Sequence, residues 1–502
     1  MGHTPATPEQ APQADAKTGG MSGTVAKGAV WTSLANVARI ASAVLIIPIL
    51  SRYLDLEDFG IMQIAMPVIL FLMLFNDIGL GPALVRAKAP SRAMWSSVLW
   101  TNLGLGLLMT AGLFAISGPL ADFFREPDVR PITQALSAAL LLNCLCIVPG
   151  AWLQRKFKFK QMTIVEVISI TSGIIAAVIS AMQGAGAWAL VYQQITMYVV
   201  KTLMLWVFAR DATVAFEYRW SEISNVFGFS SGLLGTRFIA FLSNNAPNLL
   251  IGRIIGATAL GAYSIAYRIM IVPVQIFAFG LSSVLLPAMS QFHEDKARMR
   301  AACVRTYRLI ALIIFPALAG ISALAEPFVL FALGEKMSAA GPVLALLAPI
   351  GAVQALLSSQ GAMYTALGRT DVLFKWATIE AALRVTSFAA GIQYGLITAV
   401  QAYAVAMLVI ALPSFRALLR LVDGTLAHLG AALWRPLVIS LFMTVSLRLL
   451  WPMELSFLPS ELFARLTLFV CAGVVMYVGG LALLDRKAFG EFQAIARQAL
   501  AR

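Results

Sequence analysis

The chain has 502 residues, of which 60% are hydrophobic and only 12% charged, against about 45–50% and about 25% in soluble domains, so no large water-soluble domain fits within it. Its 37 basic and 24 acidic residues give a net charge of +13, but the basic residues fall in short segments between apolar runs rather than on one domain, which excludes nucleic acid as the partner that the charge serves. Cys144, Cys146, Cys303 and Cys471 show neither disulfide nor zinc spacing, and His3, His293 and His428 are scattered, so the sequence implies no metal and no cofactor.

Residues 1–21 are rich in Pro, Ala, Gln and Gly and lack an apolar core, which predicts a disordered tail rather than a cleaved signal peptide. Apolar runs then recur at the length of roughly 20 residues that a membrane helix needs. Fourteen spans are predicted, in the first half near 28–50, 59–81, 94–117, 131–153, 162–182 and 185–209. The second half places them near 224–247, 259–286, 306–325, 341–366, 373–392 and 396–419, with two more at 430–450 and 462–484. The expected fold is an all-α polytopic membrane protein with two six-helix bundles, 22–210 and 211–425, followed by a helix pair in 426–485 and a tail at 486–502.

Connecting segments set the orientation. Arg86, Lys88 and Arg92 follow span 2, Arg155, Lys156, Lys158 and Lys160 follow span 4, and Lys296, Arg298 and Arg300 follow span 8, whereas Asp55, Glu57 and Asp58 follow span 1. The positive-inside rule then places both termini in the cytoplasm. Trp31, Trp95, Trp152, Trp188, Trp434 and Trp451, near span ends, suit interfacial belts.

An internal duplication is visible. Arg52, Gly60, Ile64 and Ala65 recur as Arg253, Gly261, Ile265 and Ala266 at an offset of 201, and Leu153, Arg155 and Glu166 as Leu367, Arg369 and Glu380 at an offset of 214. Because each half has an even number of spans, both share one orientation, with a cleft between them. Ionisable residues inside spans cost about 3 kcal/mol each, so Arg39, Arg237, Arg268, Glu380 and Arg384 require partners or a watery cavity. Such a cavity implies transport of something polar.

The runs Leu50-Ser-Arg-Tyr-Leu-Asp-Leu-Glu-Asp-Phe-Gly60, Asp77-Ile-Gly-Leu-Gly-Pro-Ala-Leu-Val-Arg86 and Leu153-Gln-Arg-Lys-Phe-Lys-Phe159 resemble Wzx-type polysaccharide flippases, in particular the branch that exports colanic-acid-like and teichuronic-acid-like polymers. Gly186-Ala-Trp-Ala-Leu-Val191, Leu249 to Gly256 and Leu260 to Tyr267 continue the match, which covers roughly residues 22–425. The resemblance implies membership of the MOP superfamily, two bundles in a V, alternating access, and a polyprenyl-diphosphate-linked oligosaccharide as cargo. It also implies a setting of membrane lipid, a polysaccharide polymerase and a chain-length regulator.

Arginine suits a diphosphate because its planar fork donates two hydrogen bonds at once. Arg39 and Arg237 are near-equivalent in the two repeats and are expected to face each other across the cleft, with Arg268 as a third candidate. The alternative is that each pairs within its own bundle. Asn244 and Asn245, near Pro247, suit either sugar hydroxyls or helix packing. Glu380 and Arg384, four residues apart, are expected to pair. Glu380, Glu166 near the end of span 5, and Asp77 are the candidates for carrying a coupling ion. Two other functions compete: a MATE-like cation-coupled exporter, disfavoured by the extra spans and arginine-bearing interior, and a membrane-embedded polymerase, disfavoured by the short connections.

Overall fold

A computed structural model describes residues 18–76, 80–87, 89–212, 214–290, 295–453, 461–485 and 489–490, and over these residues the chain is helical without strands. The first half contains α1 (Thr18–Leu50), α2 (Leu56–Asn76), the short α3 (Leu80–Arg86), α4 (Arg92–Phe124), α5 (Val129–Arg155), α6 (Phe159–Met182) and α7 (Trp188–Phe208). The second contains α8 (Trp220–Ile254), α9 (Ala257–Ser290), α10 (Lys296–Ala323), α11 (Ala325–Leu333), α12 (Ala340–Ser358), α13 (Gln360–Ala366), α14 (Thr370–Gly391) and α15 (Leu396–Leu421). Helices α16 (Leu426–Leu450) and α17 (Leu462–Leu484) follow, with α16 packed along α10.

Among the described residues, eleven segments are long and apolar enough to cross a membrane. Of the long helices outside that set, α7 carries Gln193, Gln194 and Lys201, and α14 carries Asp371, Lys375, Glu380 and Arg384. The outer surface is apolar, as hydrocarbon requires: Leu108, Leu412, Phe442 and Val475 all project outward.

Several expected boundaries move for local reasons. Helix α2 begins at Leu56 rather than residue 59, because Glu57 and Asp58 in its first turn face the exposed amides and positive dipole end. The span expected over 306–325 starts three turns earlier, at Lys296, where the Asp295 side chain accepts a hydrogen bond from Arg298 N at 3.0 Å. The 341–366 span divides at Ser359 into α12 and α13. Trp95 and Trp152 do not sit in an interfacial belt. They are buried in a satellite core with Leu80, Leu84, Leu153 and Val165, which forms because α3 folds back beneath α5. Arg155 holds α3 there by donating to its last carbonyls, those of Leu84 and Val85, and to Ala87 O.

The duplication has a physical counterpart where α2 crosses α9. A Cβ added at Gly60 would overlap the carbonyl oxygen of Ala257, and one added at Gly261 would overlap the carbonyl oxygen of Leu56. The same offset of 201 relates Gly60 to Gly261 and Leu56 to Ala257, so the two contacts are one contact repeated about a pseudo-two-fold axis. Glycine is required on both sides because backbone meets backbone there.

Around that crossing the two halves close at the Asp55 end. Lys336 Nζ lies 2.9 Å from Asp55 Oδ1, Glu126 Oε1 accepts from Ala257 N at 3.3 Å, and Arg253 stacks on Phe123. Arg253 therefore covers a ring of the other half. At the opposite end, marked by Lys158, the 209–219 segment that joins the halves is stitched to α4: Ala215 N and Arg219 N donate to Ser96 Oγ and Ser97 Oγ, each at 2.8 Å.

Candidate functional site: a polar cavity beneath the closed end

Below the glycine crossing lies a cavity of about 1030 Å³, bounded by α1, α2, α6 and α7 on one side and by α9 with the end of α8 on the other. Helical periodicity selects its lining. Gln193, Met197 and Lys201, with Gln194 and Tyr198, form one face of α7, and Tyr263, Tyr267 and Ile271, with Ser264, Arg268 and Val272, form one face of α9. Polar side chains thus turn inward in a molecule whose outer surface is apolar.

Three charges meet in this cavity. Arg39 donates to Glu166 Oε1 through Nη2 at 2.6 Å and Nε at 3.1 Å, while Lys201 Nζ lies 3.0 Å from Glu166 Oε2. The acid is the most enclosed member, with its side chain 16% exposed against 59% for Arg39 and 30% for Lys201. Helices α1 and α7 thus bring a cation to each oxygen of Glu166. Arg268 completes the charged lining and has no hydrogen-bond or ion-pair partner among the described residues. The cavity's described ionisable side chains are three basic groups and one acid, apart from its tyrosines.

A second polar centre lies within the other half. Arg384, 6% exposed, donates Nη2 to Glu380 Oε1 at 2.9 Å and Nη1 to Asn244 Oδ1 at 3.0 Å, with its guanidinium over the Tyr403 ring. The expected Glu380–Arg384 pair is thus present, and it also joins α14 to α8. Asn245 turns back to its own helix, donating to Phe241 O at 2.9 Å. The asparagine that lines the cavity is instead Asn248.

Of the residues singled out from sequence, Arg39, Glu166 and Arg268 come together in the cavity, whereas Glu380, Asn244 and Asn245 belong to helix packing in the second half. Arg39 does not reach across the cleft: its guanidinium is taken by Glu166 of its own half, because α1 packs along α6. The side chain of Arg237 and all of Asp77 lie outside the described residues. Sequence reasoning missed Lys201, Gln193, Gln194 and Tyr198. The polar face at positions 193, 194, 198 and 201 in an otherwise apolar span was the signal that points to them.

The model of a family described as polysaccharide biosynthesis protein matches residues 49–342, more than half of the chain and most of the cavity. The chain belongs to that polysaccharide biosynthesis family. Among its relatives is the succinoglycan biosynthesis transport protein ExoT of Rhizobium meliloti, 30% identical over 358 residues, which are 71% of this chain and 72% of that one. The lipopolysaccharide biosynthesis protein WzxC of Escherichia coli is 25% identical over 72% of this chain and 74% of its own. The teichuronic acid biosynthesis protein TuaB of Bacillus subtilis is 26% identical over 76% and 79%. The fold of this family member matches the lipid II flippase MurJ in an inward closed conformation, with a TM-score of 0.72 and 14% identity over 91% of this chain and 99% of that one. It also matches an inward-facing MATE transporter, at a TM-score of 0.62 and 15% identity over 76% and 96%. The extra coverage of the MurJ match is consistent with helices beyond the two six-helix halves.

Proposed function

We propose that this protein is a flippase that carries a polyprenyl-diphosphate-linked oligosaccharide across the bacterial inner membrane for surface polysaccharide synthesis. The observation that carries this reading is Arg268: a guanidinium without a hydrogen-bond or ion-pair partner among the described residues, in a cation-rich cavity between two repeats, suits an anion from outside the chain. A lipid-linked diphosphate supplies that anion, and the glutamines and tyrosines beside it suit sugar hydroxyls. The transport and biosynthesis roles in the relatives' names agree with this cargo. A polymerase and a chain-length regulator would take over the delivered unit. In this reading the chain crosses fourteen times with both termini cytoplasmic, the halves are the bundles 22–210 and 211–425, and the closed Asp55 end faces outward.

Two experiments test it. Arg268→Ala is expected to leave protein abundance at the wild-type level, since removing an intramembrane charge lowers insertion cost. Lipid-linked oligosaccharide should accumulate on the inner leaflet and surface polymer should fall at least tenfold, with Lys restoring only part of it because the bidentate fork is lost. Wild-type export by Arg268→Ala removes this arginine from the site. For topology, single cysteines at Lys156 and Lys296 should react only from the cytoplasm and one at Glu335 only from outside. Labelling of Lys296 and Glu335 from the same side contradicts the orientation.

A further inference from the structure

Glu166 occupies the place of an anion. Each of its two oxygens faces a different cation, Arg39 from α1 at 2.6 Å and Lys201 from α7 at 3.0 Å, and the three side chains lie in the wall of the cavity. The cations are more exposed than the acid between them, so they are open to the cavity while Glu166 sits behind them. A phosphate group presents the same feature that the carboxylate presents here, oxygens that accept from a guanidinium fork and from an ammonium. Without that acid, two cations would stand side by side with no counter-charge between them, which is costly.

From this geometry we infer that Glu166 is a built-in competitor of the cargo's diphosphate: it neutralises Arg39 and Lys201 in the empty cavity, yields them when the diphosphate enters, and takes them back to expel it. The inference rests on the flippase reading above and adds two things to it, Lys201 as a cargo-binding residue and a reason why binding is not too tight for release. Release matters because a carrier that only binds does not turn over. Ligand and glutamate contend for the same two donors, so removing the glutamate charge strengthens binding while removing either cation weakens it.

The test is equilibrium binding of farnesyl diphosphate, with inorganic pyrophosphate in parallel, to the purified full-length chain in nanodiscs at fixed ionic strength. Glu166→Gln is expected to bind farnesyl diphosphate at least tenfold more tightly than wild type, and Lys201→Ala and Arg268→Ala at least tenfold more weakly. If Glu166→Gln is not monodisperse, Glu166→Asp serves in its place. Its shorter carboxylate cannot span both cations, and severalfold tighter binding is expected. Wild-type binding that Arg268→Ala weakens, with Glu166→Gln or Glu166→Asp equal to or weaker than wild type, overturns the competitor role and leaves the flippase reading standing. No binding of either diphosphate by wild type or any variant overturns both. Pyrophosphate binding as tight as farnesyl diphosphate locates the recognition in the diphosphate alone, which supports the inference.

Discussion

Replacing both Gly60 and Gly261 by alanine is expected to open the Asp55 end and abolish export, with the protein still in the membrane. At each glycine the new methyl group meets a backbone carbonyl, of Ala257 or of Leu56, and no side-chain rotation relieves the overlap. Overpacking of this kind costs about 1–3 kcal/mol per site. Because the contact is repeated about the pseudo-two-fold axis, both penalties fall on the same closed state and neither falls on a state in which α2 and α9 have separated. A penalty of about 2–6 kcal/mol amounts to a shift of roughly thirtyfold or more in the balance between the two states. The salt bridge between Asp55 and Lys336, at 2.9 Å, provides the gauge. Cysteines at these two positions should be bridged by a bifunctional thiol reagent long enough to replace the lysine side chain in the parent chain, and at least tenfold less in the double-alanine chain. Undiminished cross-linking together with normal export would show that the crossing does not control closure.

The sequence made the broad architecture legible because hydrocarbon leaves few choices. Every span must satisfy its own backbone hydrogen bonds as a helix and turn apolar side chains outward, so length and hydropathy reveal it. The repeat was legible for a related reason: Gly60 and Gly261 are constrained by a backbone contact that only glycine tolerates. What remained hidden was which charges pair. Arg39 and Glu166 are 127 residues apart and meet only because α1 packs along α6, and nothing in their local sequences encodes that. Glu380 and Arg384 were legible because a single helix places them on one face, although their link to Asn244 across to α8 was not. Lys201 was passed over because one lysine in an apolar span resembles an isolated defect until its helical neighbours Gln194 and Tyr198 are read with it. Trp95 and Trp152 misled because aromatic residues at span ends serve equally as interfacial anchors and as core, and the fold-back of α3 decides between the two.

The second large effect is expected at the polar centre of α14. Glu380→Gln should lower protein abundance and thermal stability strongly, because it leaves the Arg384 guanidinium 6% exposed with only the Asn244 amide oxygen, a glutamine carbonyl and the Tyr403 ring around its charge. Removing one partner of a buried ion pair costs about 3–5 kcal/mol, and the partial exposure of Glu380, 30%, places the loss toward the lower end. The effect should be asymmetric. Arg384→Gln leaves behind a carboxylate that is nearer to solvent, so its loss should be the smaller of the two. Combining the changes removes the uncompensated charge, and the double variant should recover most of the abundance lost by Glu380→Gln, a coupling of the kind that contacting residues show. Abundance in membranes and melting of the detergent-purified chain read both effects. A Glu380→Gln protein that is abundant and melts like wild type, yet exports nothing, would transfer Glu380 from holding the bundle together to carrying the coupling ion.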